Sequence, residues 1–195
     1  LPIWKMNMKK IISFFIVACC AMCATAAKVV WQIGVADNSG TELALGPSEY
    51  KKFLAHDFGY EDRYFLVGTS VDKNDFPYVL PGPDDTWGGT WSTSGWRTHD
   101  ANILFGIKKL PKHGKWKLVV DLVDANPSRS VVKVMVNSAE KKFEIKGHSK
   151  GVLEGNLQDA KEQILEFPIS ADDLKKGGNM VTVSVLEGGW IVFDQ

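Results

Sequence analysis

The sequence predicts an all-β fold, an antiparallel β-sandwich or jelly roll with one or two short helices. Three observations predict it. From Lys28 onward apolar and polar residues mostly alternate, the period of a strand that buries one face. The alternating runs are short. Gly, Pro, Asn and Asp punctuate them, as turns do between sandwich strands.

Nine segments carry the pattern. "VVWQIG", "RYFLVG" and "NILFGI" supply the early strands. "KWKLVVDLVDA", Lys115 to Ala125, places Trp116, Leu118, Val120 and Leu122 on one face. "VVKVMVN" does the same with Val132, Val134 and Val136, and "KFEIK", "QILEFPI", "NMVTVSVLE" and "GWIVFDQ" follow. Trp31, Trp116 and Trp190 lie within strand patterns and are expected in the core. Two helical pieces are expected. "PSEYKKFL" opens on Pro47-Ser48 and groups Tyr50, Phe53 and Leu54. "SADDLKKGG" has Ser170 as N-cap, acids in its first turn, lysines in its last and Gly177 as C-cap. Lys146 to Gln163 is polar and is expected to be a mobile connection. No internal repeat is visible.

Residues 1–27 are expected to be upstream sequence and a secretory signal. Met6 or Met8, Lys9-Lys10, an apolar run from Ile11 to Cys23 and Ala24-Thr25-Ala26 make up its basic, apolar and cleavage regions. The apolar run is too short for a membrane span. An alternative is a lipoprotein signal at Ile16-Val17-Ala18-Cys19, with Cys19 lipidated. Either way the expected location is exported: periplasmic, cell-surface or extracellular. Cys19, Cys20 and Cys23 are the chain's three cysteines, so the module over residues 28–195 has no disulfide or cysteine metal site. The leader holds three lysines and no acid, leaving 20 basic and 23 acidic residues beyond it. Without a basic stripe or charge block, nucleic acid and anionic membranes are poor partners.

Several stretches resemble a known family: "WQIGVADNSGTELAL", "DRYFLVGTS", "FPYVLPGPDDTWGG", "VKVMVNS" and "ISADDLKKGGNMVTVSVLEGGWIVFDQ". In this order and spacing they look like the carbohydrate-binding-like third domain of rhamnogalacturonan lyases. Relatives of that domain sit on secreted polysaccharide-degrading enzymes of Bacteroidetes. The resemblance implies a galactose-binding-like jelly roll over residues 31–195. It also implies that the family pattern runs a few residues past "FDQ", so truncation at the C-terminus is expected. The lyase's catalytic domain is absent from the resemblance, and its activity is not carried over.

The segment "YVLPGPDDTWGGTWSTSGWRTHD", Tyr78 to Asp100, has neither helical nor strand period, yet holds Trp87, Trp91 and Trp96. A sugar presents C–H faces and hydroxyl rims, which proteins meet with aromatic planes and a few fixed polar groups. Trp87, Trp91 and Trp96 are candidate platforms. Arg97 brings a fork of donors suited to carboxylates, and His99 a further polar group. Asp84, Asp85, Asp100, Tyr78 and Tyr60 are possible helpers. The competing reading makes the indoles apolar plugs beneath a long loop, or a dock for a neighbouring domain.

Catalytic signals are weak. His56, His99, His113 and His148 are scattered without metal-ligand spacing. Asp84-Asp85 are adjacent and would point apart, unlike a glycosidase pair. No catalytic residues and no cofactor are assigned, although "DNSG" or "GPDD" loop oxygens could hold a structural calcium. The expected function is a non-catalytic carbohydrate-binding or accessory module, with a polysaccharide or oligosaccharide and a catalytic domain in cis as partners. The alternatives are a structural module docking on a catalytic domain, and a small lyase or glycosidase in its own right.

Overall fold

Val132, Val134 and Val136 each have no exposed surface, so the alternation of "VVKVMV" becomes burial of one strand face. The same translation runs through the molecule. In the computed structural model the described residues are 28–46, 49, 62–85, 99–110 and 115–195. Nine strands occur among them: β1 (Arg63–Leu66), β2 (Val79–Pro81), β3 (Asp100–Ile107), β4 (Trp116–Ala125), β5 (Arg129–Val136), β6 (Ala139–Lys146), β7 (Gln163–Ile169), β8 (Gly177–Glu187) and β9 (Trp190–Phe193). They form a five-stranded sheet, β1-β3-β8-β5-β6, and a four-stranded sheet, β2-β9-β4-β7. Pairing is antiparallel except between β1 and β3, which run parallel with Arg63 opposite Ala101. The core lies between the sheets. It is built from Ile103, Val132, Val134, Val181 and Val183 on one side and Val120, Leu122, Leu165, Phe167 and Ile191 on the other. Residues Trp31–Gln195 make one compact unit.

Eight of the nine expected segments are strands, and one is not. "VVWQIG" forms no strand. Gly34 takes φ +78 there, and a Cβ on it would lie 2.2 Å from the Asp194 carbonyl oxygen, so the chain bends tightly past the end of β9 instead of pairing. The ninth strand is β2, inside the stretch read as patternless. All three of its residues are buried, so there is no exposed face to produce an alternation. Pro81 is tolerated because β2 is at a sheet edge.

The helical expectations divide. "PSEYKKFL" lies outside the described residues apart from Glu49. Ser170 does cap a turn, a 3-10 turn over Ala171–Asp173, with Ser170 Oγ accepting from Asp172 N and Asp173 Oδ2 accepting from Ser170 N. Its C-cap is Leu174 and not Gly177. Leu174 is extended and buried, which draws the chain inward, and Gly177 with φ +98 opens β8. A short helix α1 (Asp72–Asp75) was not expected; Asp75 Oδ2 accepts from Val71 N at 2.7 Å and closes it.

The connection from Lys146 to Gln163 is anchored, contrary to the mobile segment expected. Lys150–Glu154 form a 3-10 helix that ends at Gly155 in the left-handed region. Val152 in it is fully buried. Of the three tryptophans expected in the core, Trp190 is buried, while Trp31 and Trp116 are half-buried and pack against it.

Candidate functional site

Trp87, Trp91, Trp96 and Arg97, with Tyr60, lie outside the described residues. The two ends of their segment are described, and each is tied to the β8–β9 end of the sandwich. At the start, a Cβ on Gly82 would lie 2.0 Å from the Gly189 carbonyl oxygen, so only glycine permits the backbones to approach this closely. Asp84 N then donates to Gly188 O at 3.0 Å, and Asp85 N to Gly82 O at 3.1 Å. At the return, Asp100 pairs with Ser184 across the β3–β8 ladder, and Ser184 Oγ donates to Asp100 Oδ1. Asp100 N donates to Asp62 Oδ1 at 3.0 Å. The described residues on either side of the tryptophan-bearing segment are therefore held beside β8.

His99 is the one named site residue that is described. It is 1% exposed, and its Nδ1 stands 3.9 Å from Asp62 Oδ1. So placed, it has no face to offer a polymer and sits behind the return of the segment. Tyr78 is likewise not a platform. It is fully buried, and its hydroxyl donates to Leu153 O at 3.1 Å, pinning the 3-10 helix to β2's approach. Asp84 is exposed, Asp85 and Asp100 half-buried.

An exposed aromatic that was not singled out is Tyr64, 64% exposed on β1. Phe65 beside it is buried, so Tyr64 faces away from the core on the outer side of the five-stranded sheet. The alternation in "RYFL" was the available signal. Next to it on that face, Asn102 and Thr182 are opposite each other, with Thr182 Oγ1 donating to Asn102 Oδ1 at 2.7 Å.

A second polar centre lies on the four-stranded sheet. Asp121 of β4 is 7% exposed, and its Oδ1 has no hydrogen-bond partner. Burial, followed by the charges of Glu162 and Asp194, raises its pKa from 3.8 to about 6, against the lowering effect of the Leu122 amide. A cavity of about 320 Å³ alongside is lined by Asn38, Val123, Leu157, Ala160 and Glu162. The "DNSG" turn closes on itself and on β9: Ser39 Oγ donates to Asp37 Oδ1 at 2.7 Å and Ser39 N to Asp194 Oδ1 at 3.0 Å. Among the described residues no three His, Cys, Asp or Glu side chains are gathered as a metal cluster. His148 Nδ1 hydrogen-bonds Asp159 O, far along the chain from His99 beside Asp62. Among the described residues no helix is long and apolar enough to cross a membrane.

Residues 29–195 match the family described as CBM-like, polysaccharide lyase family 4, domain III. The chain belongs to this family. Membership agrees with the fold, two β-sheets with almost no helix among the described residues. No curated protein matches the sequence. Among solved structures, a family 35 carbohydrate-binding module from Clostridium thermocellum is 15% identical, with 47% of this chain and 65% of that one covered and a TM-score of 0.30. The family GH115 4-O-methyl-α-glucuronidase BtGH115A is 16% identical over 48% of this chain, with a TM-score of 0.32. The cycloalternan-forming enzyme from Listeria monocytogenes, in complex with a pentasaccharide, is 13% identical over 66% of this chain, with a TM-score of 0.34. This family member spans only 12% of the glucuronidase's length and 10% of the cycloalternan-forming enzyme's.

Proposed function

We propose that the chain is a non-catalytic carbohydrate-binding module. The observation that carries this reading is the family match over residues 29–195, which makes nearly the whole chain one CBM-like domain. The sandwich supports it physically. Asp84 and Asp100, which flank the tryptophan-bearing segment, are both held by hydrogen bonds to the sandwich, and a rigid scaffold of this kind suits recognition from its connecting segments.

The same reading has finer parts. The family description is that of a lyase's third domain, so the module serves a larger polysaccharide-degrading enzyme, with the catalytic domain in cis. The leader-like residues 1–27 fit export of the whole. Trp87, Trp91 and Trp96 supply the stacking planes and Arg97 the polar fork, with His99 buttressing the return from behind.

Affinity electrophoresis of the chain in gels holding pectic, mannan or host-type glycans tests the reading. Retardation by at least one polymer is expected, weakened by Trp87→Ala, Trp91→Ala or Trp96→Ala at unchanged melting temperature. Unretarded migration on every polymer overturns it. Release of reducing ends or unsaturated uronides by the chain would establish an enzyme instead.

A further inference from the structure

Asp121 is covered on a face of its sheet that is open next door. Ile164 on β7 stands directly opposite it, and residues paired across a ladder point to the same side. The preceding pair, Val120 and Leu165, lies in the core, so Asp121 and Ile164 face outward. Ile164 is 53% exposed, whereas Asp121 is 7% exposed and its Oδ1 has no hydrogen-bond partner. A cover therefore lies over β4 and stops short of β7.

Two segments supply that cover, lining the cavity with Val123: the turn at Asn38, and the end of the long connection through Leu157, Ala160 and Glu162. They are held differently. The turn is clamped to β9, because Ser39 N donates to Asp194 Oδ1 and a Cβ on Gly40 would lie 2.5 Å from the Phe193 carbonyl oxygen. The connection is clamped at its start, where Asp124 accepts from His148 N and Ser149 N and the Tyr78 hydroxyl donates to Leu153 O. It is fixed again at Gln163, where β7 pairs with β4. Among the described residues, the hydrogen bonds of 157–162 stay within the connection itself. Ala160 N donates to Leu157 O at 3.1 Å, Gln158 N to Asn156 Oδ1 at 3.2 Å, and His148 Nδ1 to Asp159 O at 2.7 Å.

The groups around Asp121 make its ionisation costly where it stands. Glu162 from the connection and Asp194 from β9 are the charges that act on it, and both are acidic. The turn offers Asn38 and β7 offers Ile164, both uncharged. Asp37 in the turn is engaged with Ser39 Oγ, and Lys161, beside Glu162, is exposed. His148 donates to Asp159 O with its ring neutral or charged, so its titration leaves that bond in place. The Asp121 backbone is locked, N donating to Gln195 O at 2.8 Å and O accepting from Asp194 N at 3.0 Å, so the carboxyl does not reach water by moving its strand. A buried carboxyl oxygen without a donor is tolerable in a neutral acid and very costly in an anion. Hydration of the anion requires the cover to lift, and 157–162 is the part of it with no hydrogen bond to either sheet.

We propose that residues 157–162 form a pH-operated flap, closed over Asp121 while its carboxyl holds a proton and raised when that proton leaves to water. Ionisation sets the carboxylates of Asp121, Asp194 and Glu162 around one cavity, and Glu162 rides on the segment that is free to move away. Raising the flap admits water to Oδ1, parts Glu162 from the other two and uncovers Val123, which is otherwise fully buried. Burial first, then Glu162 and Asp194, raises the carboxyl to about 6, which places the movement between mildly acidic and neutral conditions. The device operates whether or not the module holds a glycan.

Hydrogen exchange of the whole chain, followed by NMR at the Ala160 amide from pH 4.5 to 8 and corrected for the intrinsic rate, tests the flap. Between pH 5 and pH 7 the protection of Ala160 should fall about tenfold, the factor that linkage gives a carboxyl raised from 3.8 to about 6. That fall should be the same in dilute urea, the mark of a local opening, while exchange of the Val134 amide in the core quickens with urea. Asp121→Asn should keep Ala160 protected at every pH. Glu162→Gln, an exposed position, should move the fall to lower pH, and it carries the test if Asp121→Asn fails to fold. Protection of Ala160 that is independent of pH overturns the proposal, as does a wild-type profile in either variant. Urea-sensitive exchange of Ala160 in step with Val134 also overturns it, because the module then opens as a whole and not at the flap.

Discussion

The carboxylate of Asp124 reaches across the sandwich edge to the backbone of Ser149, accepting from its amide at 3.0 Å through Oδ2. Oδ1 accepts from His148 N at 2.9 Å and from Ala125 N at 2.8 Å. Asp124 is fully buried, so these three amides are what makes its burial tolerable. Asp124→Ala should therefore leave donors unsatisfied and destabilise the module by about 3 kcal/mol. Urea unfolding of the two proteins checks it; a loss too small to resolve would show that water replaces the carboxylate.

Val152 secures the same connection from the other side. Val152→Ala should cost about 2 kcal/mol and loosen the segment after β6. Limited proteolysis reads this directly: cleavage between residues 147 and 162 should be slow in the wild type and faster in the variant. Equally rapid cleavage in both would mean that the anchoring is ineffective in solution.

Two glycines should respond in opposite ways to alanine. A Cβ on Gly147 would lie 1.5 Å from the Ala125 carbonyl oxygen, so Gly147→Ala must move backbone and should destabilise by about 3 kcal/mol. Gly106→Ala meets open space and should leave stability unchanged or slightly raised. Thermal melts of both variants suffice. Equal melting temperatures would contradict the packing between β4 and the end of β6.

Asp121 gives the module a pH dependence of definite sign. Its carboxyl is raised from 3.8 to about 6, so the folded state holds a proton that the unfolded chain has released. Stability from this group is full below pH 3.8 and is lost as pH rises through about 6, at most about 3 kcal/mol in all. Asp121→Asn should remove that part of the decline. Urea midpoints from pH 4 to 7 for both proteins test it, and parallel profiles would show that the buried carboxyl does not titrate there.

The strands were legible where apolar and polar residues alternate. β4 to β8 all declared themselves this way, even where the polar positions are themselves buried, as Asp121, Asp124, Thr182 and Ser184 are, and the Ser170 cap by its hydroxyl and following acids. β2 was hidden because all of its residues are buried, and "VVWQIG" misled because Gly34 and the β9 backbone override an apolar run. Parallel pairing of β1 with β3 leaves no local mark, since register between distant segments is a property of the assembled sheet. For the site, composition pointed to Trp87, Trp91 and Trp96, but burial is not written in residue type. Tyr78 and His99 read as polar helpers and are interior, whereas Tyr64 passed unnoticed and is open.

The order of strands within the sheets sets when this module can form. β8 lies between β3 and β5, and β9 between β2 and β4, so the last two of these nine strands in chain order occupy interior positions, one in each sheet. A nascent chain that has reached only Ile169 has β3, β5, β2 and β4 with unmatched edges and nothing to join them. Native structure must therefore await Trp190–Phe193, and folding is governed by capture of those late segments between partners far upstream, a slow step by its long loop closures.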